Sequence, residues 1–90
     1  MYEIRPTTKF QKDLKRAKKR GFDLSLLTEI LKKLAGGETL PVKNKDHALS
    51  GNYAGCRECH IAPDWLLIYE VDGNSLILYP ILTGSHSDLF

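Results

Sequence analysis

The first half of the chain alternates hydrophobic and polar residues in ways that predict one strand followed by two helices. Residues 2–5 alternate as a short strand, which Pro6 ends. Thr7 or Thr8 can then cap a helix, and Gly21 is placed to end it, because glycine readily takes the left-handed conformation that follows a helix. The apolar residues of this helix recur at the spacing of one face: Phe10, Leu14 and Ala17.

A second helix is predicted directly after the first. Asp23 or Ser25 can cap its start, and Gly36 and Gly37 end it. Its apolar stripe consists of Leu24, Leu27, Ile30, Leu31 and Leu34. Two helices joined by so short a turn pack antiparallel, so we expect a helical hairpin.

The second half of the chain predicts three strands. Residues 40–50 show no regular pattern, and the strands that follow cover residues 56–61, 65–71 and 75–82. Residues 65–71 are apolar on both faces, which is typical of a central strand covered on one side by helices and on the other by a cleft or a partner. An Asp-Gly-Asn turn joins the last two strands, and Pro80 requires an edge strand or a bulge.

These elements predict an α+β fold of order β-α-α-β-β-β, in which the helical hairpin packs on one face of a small, mostly antiparallel sheet. The strand at residues 2–5 reaches this sheet through a crossover of two helices, which favours parallel pairing with one of the later strands. The 90 residues predict one domain, residues 1–90, and the hydrophobic fraction of 42% suffices for a single core.

Charge is distributed unevenly between the two halves. Residues 1–45 contain 12 Lys and Arg against 5 Asp and Glu, whereas residues 46–90 contain 1 against 6. A basic segment of this size attracts polyanions or an acidic partner protein, although it can also be only a solvated helix face. No apolar stretch approaches the roughly 20 residues of a membrane span, and we find no signal-peptide region. We therefore expect a cytoplasmic protein without membrane contact.

Cys56, Cys59 and His60 form a Cys-x-x-Cys-His sequence, which on its own is the attachment pattern of a c-type haem. Haem attachment requires export, and Met1 is the only methionine that could serve as an axial ligand, so we reject haem. Zinc bound by both cysteines and one or two histidines is a better alternative, but only one close pair of ligands is present. We therefore expect a reduced thiol pair, with neither a metal nor a cofactor.

All three histidines stand in short polar clusters in the second half of the chain: His47, His60 and His86. Metal-free RNA cleavage requires a base for the ribose 2′-hydroxyl and an acid for the leaving 5′-oxygen, and histidine can serve both roles near neutral pH. It also requires a cation for the phosphate and an aromatic face on which a base can stack. The other residues available for these roles are Asp64, Arg57, Trp65 and Phe90. By itself this set is weak evidence, because a small α+β domain can hold three histidines, and structural or surface roles are the more common case.

Three stretches of the sequence resemble the YafQ branch of the RelE/ParE toxin superfamily. They are Asp-His-Ala-Leu-Ser-Gly at residues 46–51, Arg-Glu-Cys-His-Ile-Ala-Pro-Asp-Trp-Leu-Leu-Ile-Tyr at residues 57–69, and Thr-Gly-Ser-His-Ser-Asp-Leu-Phe at residues 83–90. The resemblance covers nearly the whole chain and implies a RelE-like fold. It also implies a toxin of a type II toxin–antitoxin system that acts as a ribosome-dependent endoribonuclease. Such an enzyme cleaves mRNA in the ribosomal A site by metal-free attack of the 2′-hydroxyl.

The same resemblance implies the partners of the protein. They are mRNA on the ribosome, ribosomal RNA and a cognate antitoxin that neutralises the toxin. The toxin and antitoxin together repress their own operon, so operator DNA is a partner only through that complex. We expect the basic first helix to contact phosphates of ribosomal RNA.

The resemblance further implies that six residues match active-site positions of the family: His47, His60, Asp64, Trp65, His86 and Phe90. His86 is expected closest to the scissile phosphate as general acid or base, while His60 and His47 complete proton transfer or hold the substrate. Asp64 would orient a histidine and fix its tautomer, and the two aromatic residues would order the cleft or stack on a base. Three residues have structural alternatives: His47 bonded within its loop, Trp65 in the core and Phe90 as a frayed terminus.

One position departs from the family pattern. Relatives commonly carry a basic residue immediately before the Thr-Gly of the last stretch, where this chain has Leu82. Stabilisation of the phosphate would then fall to Arg57, or to Lys43 and Lys45.

Two other functions remain as alternatives. The first is a gyrase-directed toxin of the ParE type, which shares the fold but needs no acid–base residues. The second is a nonenzymatic RNA- or ribosome-binding module that uses the basic helices alone.

Overall fold

A mixed β-sheet with two helices packed on one face forms the structure. The computed structural model describes residues 1–89. In chain order its elements are β1 (Glu3–Ile4), α1 (Thr8–Lys19), α2 (Leu24–Ala35), β2 (His47–Ala48), β3 (Arg57–Ala62), β4 (Trp65–Asp72), β5 (Ile77–Gly84) and α3 (His86–Leu89), with 3₁₀ turns at Val42–Asn44 and Gly51–Tyr53. The α+β class and the order of the long elements are as predicted. The short elements β2 and α3 were not predicted, and β2 lies within the stretch expected to be irregular.

The strand order β1-β5-β4-β3-β2 places β4 in the middle of the sheet. β1 pairs parallel with β5, and the other three pairs are antiparallel, which confirms the predicted topology. β4 is also buried on both sides, as its apolar pattern predicted. Leu67 and Tyr69 join the core under the helices, while Leu66 and Ile68, on the opposite face, are also inaccessible to solvent.

Local contacts fix the ends of both helices. The Thr7 hydroxyl accepts a hydrogen bond from the amide of Phe10 at 3.0 Å, which confirms the predicted cap of α1. Asp23 is the residue that caps α2. Gly21 and Gly37 follow the two helices with φ of +81° and +77°, in the left-handed region that favours glycine. Each of these helices has 12 residues, and no helix in residues 1–89 is long and apolar enough to cross a membrane.

Pro80 lies in β5, which pairs with β1 on one side and β4 on the other. Of the two predicted alternatives, a bulge is therefore correct and an edge strand is not. Across the β4–β5 pair, Ile68 lies opposite Leu82 but Tyr69 lies opposite Pro80, which leaves one extra residue in β5. This irregularity accommodates a residue that has no backbone N–H to donate. β5 also begins and ends two residues later than predicted. Its start is later because Leu76, with φ +55°, still belongs to the preceding turn.

Asp13 is a buried carboxylate that joins α1 to β5. Its side chain is 1% exposed, and one oxygen accepts hydrogen bonds from Lys9 (2.6 Å) and Arg16 (3.0 Å). The other oxygen accepts the backbone amide of Thr83 at 3.2 Å. Since both cations remain largely in contact with solvent, the buried amide of Thr83 is the group that depends most on Asp13.

Replacing Asp13 with alanine should lower the free energy of unfolding by about 1–3 kcal/mol, the usual effect of leaving a buried amide without an acceptor. Urea titration followed by circular dichroism measures the change. Glu29→Ala, at an exposed position of α2, is the control and should change stability by no more than about 0.5 kcal/mol. Equal losses in the two variants would contradict the role given to Asp13.

The two cysteines are free thiols of different accessibility. Cys59 is fully buried in the core, and burial raises the pKa of its thiol to about 12. Cys56 is partly exposed, and burial raises the pKa of its thiol by a smaller amount. Because the thiolate is the reactive form, Cys59 is protected by both its position and its protonation.

Iodoacetamide at mildly alkaline pH should therefore modify Cys56 in the native protein and reach Cys59 only after unfolding. Mass spectrometry of peptides from native and denatured samples distinguishes the two sites. Cys56→Ser serves as the control, because it should leave the native protein with no rapidly alkylated thiol. Stoichiometric modification of Cys59 in the folded protein would show that β3 is not packed as described.

Candidate active site

The face of the sheet opposite the helices carries histidines from two strands. Cys59 of β3 enters the core, so Glu58 and His60 point to the opposite face, because side chains alternate along a strand. His47 of β2 pairs with Glu58 and therefore shares that face. We call this surface, defined by His47, Glu58 and His60, the histidine face.

His86 reaches the same region from the end of β5. Gly84 pairs with Leu66, and Leu66 pairs with His60, so the segment after β5 emerges near His60. The rings of His60 and His86 are 5.9 Å apart between centroids. Asp64, in the turn between β3 and β4, has Oδ1 3.3 Å from both the backbone nitrogen and Nδ1 of His86. The structure thus brings three of the predicted residues together: His60, Asp64 and His86.

Asp64 orients the ring of His86. An acceptor beside Nδ1 favours the tautomer that carries its proton there, which leaves Nε2 available to exchange a proton with a substrate. The side chains of His86 and Asp64 are 59% and 73% exposed, so a large polymer can reach both. Two imidazoles and an orienting carboxylate on one open surface are able to perform acid–base chemistry.

His47 is bonded within its own segment and also faces Glu58. Its Nδ1 lies 2.7 Å from the Lys45 carbonyl, which can only accept, so Nδ1 is the donor. Its Nε2 lies 3.5 Å from a carboxylate oxygen of Glu58. His47 therefore combines the loop bond that was its structural alternative with a position on the histidine face.

Glu58 was not among the predicted site residues. It is 6% exposed, and its carboxylate lies next to His47 and two positions from His60 along β3. The alternation of β3 could have identified it, because a core position at Cys59 places both of its neighbours on the other face. This nearly buried carboxylate can orient the ring of His47.

Two lysines lie next to His60 in a cavity of about 380 Å³, which Lys43, Lys45 and His60 help to line. Asn44, between the lysines, is buried and donates its side-chain N–H to the His60 carbonyl at 2.7 Å. This bond fixes the 3₁₀ turn against β3. The two exposed lysines are therefore held beside one of the clustered histidines, where they can attract an anionic group.

Arg57 is not placed with the histidines. It neighbours Glu58 along β3, so its side chain lies on the helix face, where its Nε donates to Asp46 at 3.1 Å. Tyr69 donates to the same carboxylate oxygen at 2.7 Å, and burial with this carboxylate raises the pKa of Tyr69. Arg57 is thus engaged in a structural cluster on the helix face, away from the clustered histidines.

Trp65 is 3% exposed and has no face available for a base. Its ring packs against Phe22 at a centroid distance of 4.9 Å, and its indole N–H donates to the Thr83 hydroxyl at 2.9 Å. This corrects the stacking role: Trp65 is a core residue that orders the strands below the site. Phe90, the other aromatic residue predicted to stack, lies outside the described residues.

The Cys-x-x-Cys-His sequence does not assemble a metal site. Cys59 points into the core while His60 points to the histidine face, so the two adjacent side chains diverge. Within residues 1–89, no group of three or more histidine, cysteine, aspartate or glutamate side chains is arranged to hold a metal ion. Because their side chains diverge, Cys59 and His60 cannot bind the same zinc ion.

Comparisons with known proteins agree with this architecture. Residues 2–90 match the family described as a bacterial toxin of type II toxin–antitoxin systems, YafQ. The mRNA interferase toxin YafQ of Escherichia coli K12 is 36% identical over 89 residues, which cover 98% of this chain and 95% of that protein.

Solved structures give the same result. A metal-bound toxin from Helicobacter pylori superimposes with a TM-score of 0.94 at 44% identity and full coverage of both chains. A toxin from the E. coli DinJ–YafQ complex superimposes with a TM-score of 0.90 at 35% identity, covering 100% of this chain and 99% of that one. With a family match over residues 2–90 and a curated relative at 36% identity, the chain belongs to the YafQ family of bacterial type II toxin–antitoxin toxins.

Proposed function

We propose that this protein is an mRNA interferase, an endoribonuclease that cleaves messenger RNA in the ribosomal A site and so inhibits translation. The observation that carries the proposal is the surface cluster of His60, Asp64 and His86, in which a carboxylate orients one of two neighbouring imidazoles. The name of the E. coli relative, mRNA interferase toxin, supports the same activity.

The proposed reaction needs two proton transfers and no metal. A base removes the proton from the ribose 2′-hydroxyl, and the 2′-oxygen forms a bond to phosphorus. The bond from phosphorus to the 5′-oxygen breaks, and an acid donates a proton to that oxygen. The products are a 2′,3′-cyclic phosphate and a 5′-hydroxyl. His86 lies closest to the scissile phosphate in this scheme and performs one transfer, while His60 performs the other.

Lys43 and Lys45 stabilise the phosphate in this scheme. Their place beside His60 supports the assignment, whereas Arg57 is engaged by Asp46 on the other face. Leu82 pairs with Ile68 across the sheet and contributes no charge where relatives commonly carry a basic residue. The cation therefore approaches from the β2 side of the site. His47 and Glu58 complete the histidine face and hold the substrate or the neighbouring ring.

The basic surface of α1 binds ribosomal RNA in our proposal. Lys9 and Arg16 are paired with Asp13, and Arg20 is paired with Asp88. The remaining basic residues of the helix are all exposed: Lys12, Lys15, Lys18 and Lys19. Positive charge on one exposed helix favours affinity for phosphates and not chemistry.

A cognate antitoxin is the proposed protein partner, by analogy with the DinJ–YafQ complex of E. coli. Together the two proteins would repress their own operon, and operator DNA would be contacted only through that complex. Activity on ribosomes places the toxin in the cytoplasm. Membership of the YafQ family, together with the clustered histidines, favours this function over a gyrase-directed toxin.

His86→Ala should slow mRNA cleavage by roughly 10²- to 10⁴-fold, the usual effect of losing a general acid or base. That loss corresponds to roughly 3–5 kcal/mol of transition-state stabilisation. Stability should change by about 0.5 kcal/mol or less, because the side chain is largely exposed. Single-turnover cleavage of mRNA on programmed ribosomes and thermal melting measure the two effects.

The control for His86 is Asn74→Ala, in the exposed turn between β4 and β5, which should cleave at the wild-type rate. Ribosome affinity of the His86 variant should also be unchanged. A variant that still cuts at a near wild-type rate would move the catalytic role to His60 or His47. Wild-type protein that binds ribosomes but never cuts mRNA would favour the nonenzymatic binding module.

Charge reversal of Lys15, Lys18 and Lys19 to glutamate should weaken ribosome association and flatten its dependence on salt. Each lost phosphate contact should reduce the slope of log K against log salt concentration by about 0.7–0.9. Sedimentation with ribosomes at several salt concentrations measures both quantities.

A matched control is available in the hairpin. Lys18 and Lys19 lie in the last turn of α1, and Lys32 and Lys33 lie in the last turn of α2, so two double variants change the net charge equally. Only reversal at Lys18 and Lys19 should weaken binding. Equal effects of the two double variants would show that net charge, and not the surface of α1, drives association.

A further inference from the structure

We propose that Arg20, at the end of α1, is a positioning residue that holds His86 in place through Asp88. This proposal rests on the proposed role of His86 in proton transfer. One of its tests is a structural measurement whose result does not depend on that role. Neither Arg20 nor Asp88 is among the residues predicted for the active site.

The segment Ser85-His86-Ser87-Asp88 is a capping box at the start of α3. The Asp88 amide approaches the Ser85 hydroxyl at 3.3 Å, and the Ser85 amide donates to Asp88 Oδ2 at 3.0 Å. A serine followed three positions later by an acidic residue is the sequence signature of this arrangement. His86 is the first residue of the helix, so the box closes directly around it.

A helix of four residues does not fold on its own, because helix nucleation is unfavourable and so short a helix gains little from propagation. α3 therefore depends on contacts with the rest of the protein. Arg20 supplies one: its Nη1 donates to Asp88 at 2.6 Å, to the same oxygen that accepts the Ser85 amide. The backbone of Arg20 is held at the C-cap of α1, where its amide donates to the Arg16 carbonyl at 3.0 Å and the left-handed Gly21 follows.

Close packing at Gly84 supports the same arrangement. A Cβ added to Gly84 would lie 2.9 Å from Cβ of Asp88 and 3.0 Å from its Oδ2. The Asp88 side chain therefore occupies the space next to the last residue of β5. It is 13% exposed, whereas the Arg20 side chain is 45% exposed. The hydrogen bond from Arg20 and the amide of Ser85 hold the pKa of Asp88 well below its usual range, so the carboxylate is charged at neutral pH.

Two carboxylates consequently bind two consecutive amides. Asp88 accepts the amide of Ser85, and Asp64 accepts the amide of His86 and faces its Nδ1. Asp64 is highly exposed and its contacts are long, so it cannot fix His86 alone. Loss of the bond between Arg20 and Asp88 would release the Asp88 side of this segment and let the imidazole of His86 move away from His60. A displacement of about 1 Å in a catalytic group can slow a reaction about 10²-fold.

The test compares Arg20→Ala, Asp88→Asn and the double variant with wild type. Each single variant should lower kcat by roughly 10- to 100-fold with little change in KM. The double variant should be no worse than the single ones, because all three break the same contact. Arg20→Lys should restore part of kcat. Arg5→Ala is the matched control, because Arg5 forms an exposed ion pair with Glu3 outside the site and its loss should leave kcat unchanged.

The second readout is NMR of the His86 ring and of the Ser85 amide in the same proteins without ribosomes. The Arg20 and Asp88 variants should shift the His86 ring resonances and accelerate exchange of the Ser85 amide, while circular dichroism shows an intact fold. If these signals change but kcat does not, or if they do not change at all, the positioning role is overturned.

Two further outcomes distinguish a failure of the positioning role of Arg20 from a failure of the proposed catalytic role of His86. A higher KM for Arg20→Ala, additive with Asp88→Asn, would mean that Arg20 binds RNA directly, and this would overturn the positioning role. If His86→Ala cleaves normally, the proposed catalytic role of His86 fails, while the NMR comparison still decides whether Arg20 orders this segment.

Discussion

Three polar contacts from successive parts of α1 hold β5 and the segment that follows it. They join three pairs of residues: Thr7 with Ile81, Asp13 with Thr83, and Arg20 with Asp88. Apolar packing between a helix and a sheet has little directionality, so by itself it allows the two to slide. Contacts near the start, the middle and the end of α1 remove that freedom. The position of the strand along the helix is therefore fixed by hydrogen bonds.

This constraint reaches the site through the central strand. β5 pairs with β4, and β4 pairs with β3, so the strand carrying His60 is placed relative to the end of β5 by two ladders. The Thr83 hydroxyl reinforces the first ladder, since it accepts from Trp65 and donates to the Leu66 carbonyl at 2.7 Å. One helix and one central strand thus set the spacing of His60 and His86. The residues of β5 that are bonded to α1 thus also help to position the groups proposed for catalysis.

Features that depend on a residue's own backbone could be predicted from the sequence. Thr7 caps α1, Gly21 ends it, and Pro80 produces a bulge, because each follows from local geometry. The family resemblance identified the three residues that gather in the structure, and their motifs lie far apart along the chain. Residues far apart in sequence could still be assigned to one site, because each motif is recognised from its own residues without knowing which strands pair.

Predictions about the side of the sheet on which a side chain lies were less successful. Arg57 and Glu58 are neighbours, but Arg57 binds Asp46 beside the helices while Glu58 faces His47. Which of the two joins the site depends on which residues of β3 face the helices. The position of Cys59 answers this question only once Cys59 is known to lie in the core. Trp65 presents the same difficulty, because burial by Phe22 comes from the turn between the helices and not from its own strand. These outcomes depend on tertiary contacts between segments that carry no local signal.

The parallel pairing of Glu3 with Ile77 has a consequence for biosynthesis. During translation α1 and α2 emerge early, but β1 has no partner, and Asp13 has no amide to accept, until β5 has also emerged. Pairing between strands so distant along the chain slows folding, because the intervening loop must close first. The clustering of His60 and Asp64 with His86 comes later still, since His86 follows β5. A nascent chain therefore cannot assemble the histidine cluster, and with it the proposed activity, until nearly all of the domain has been synthesised.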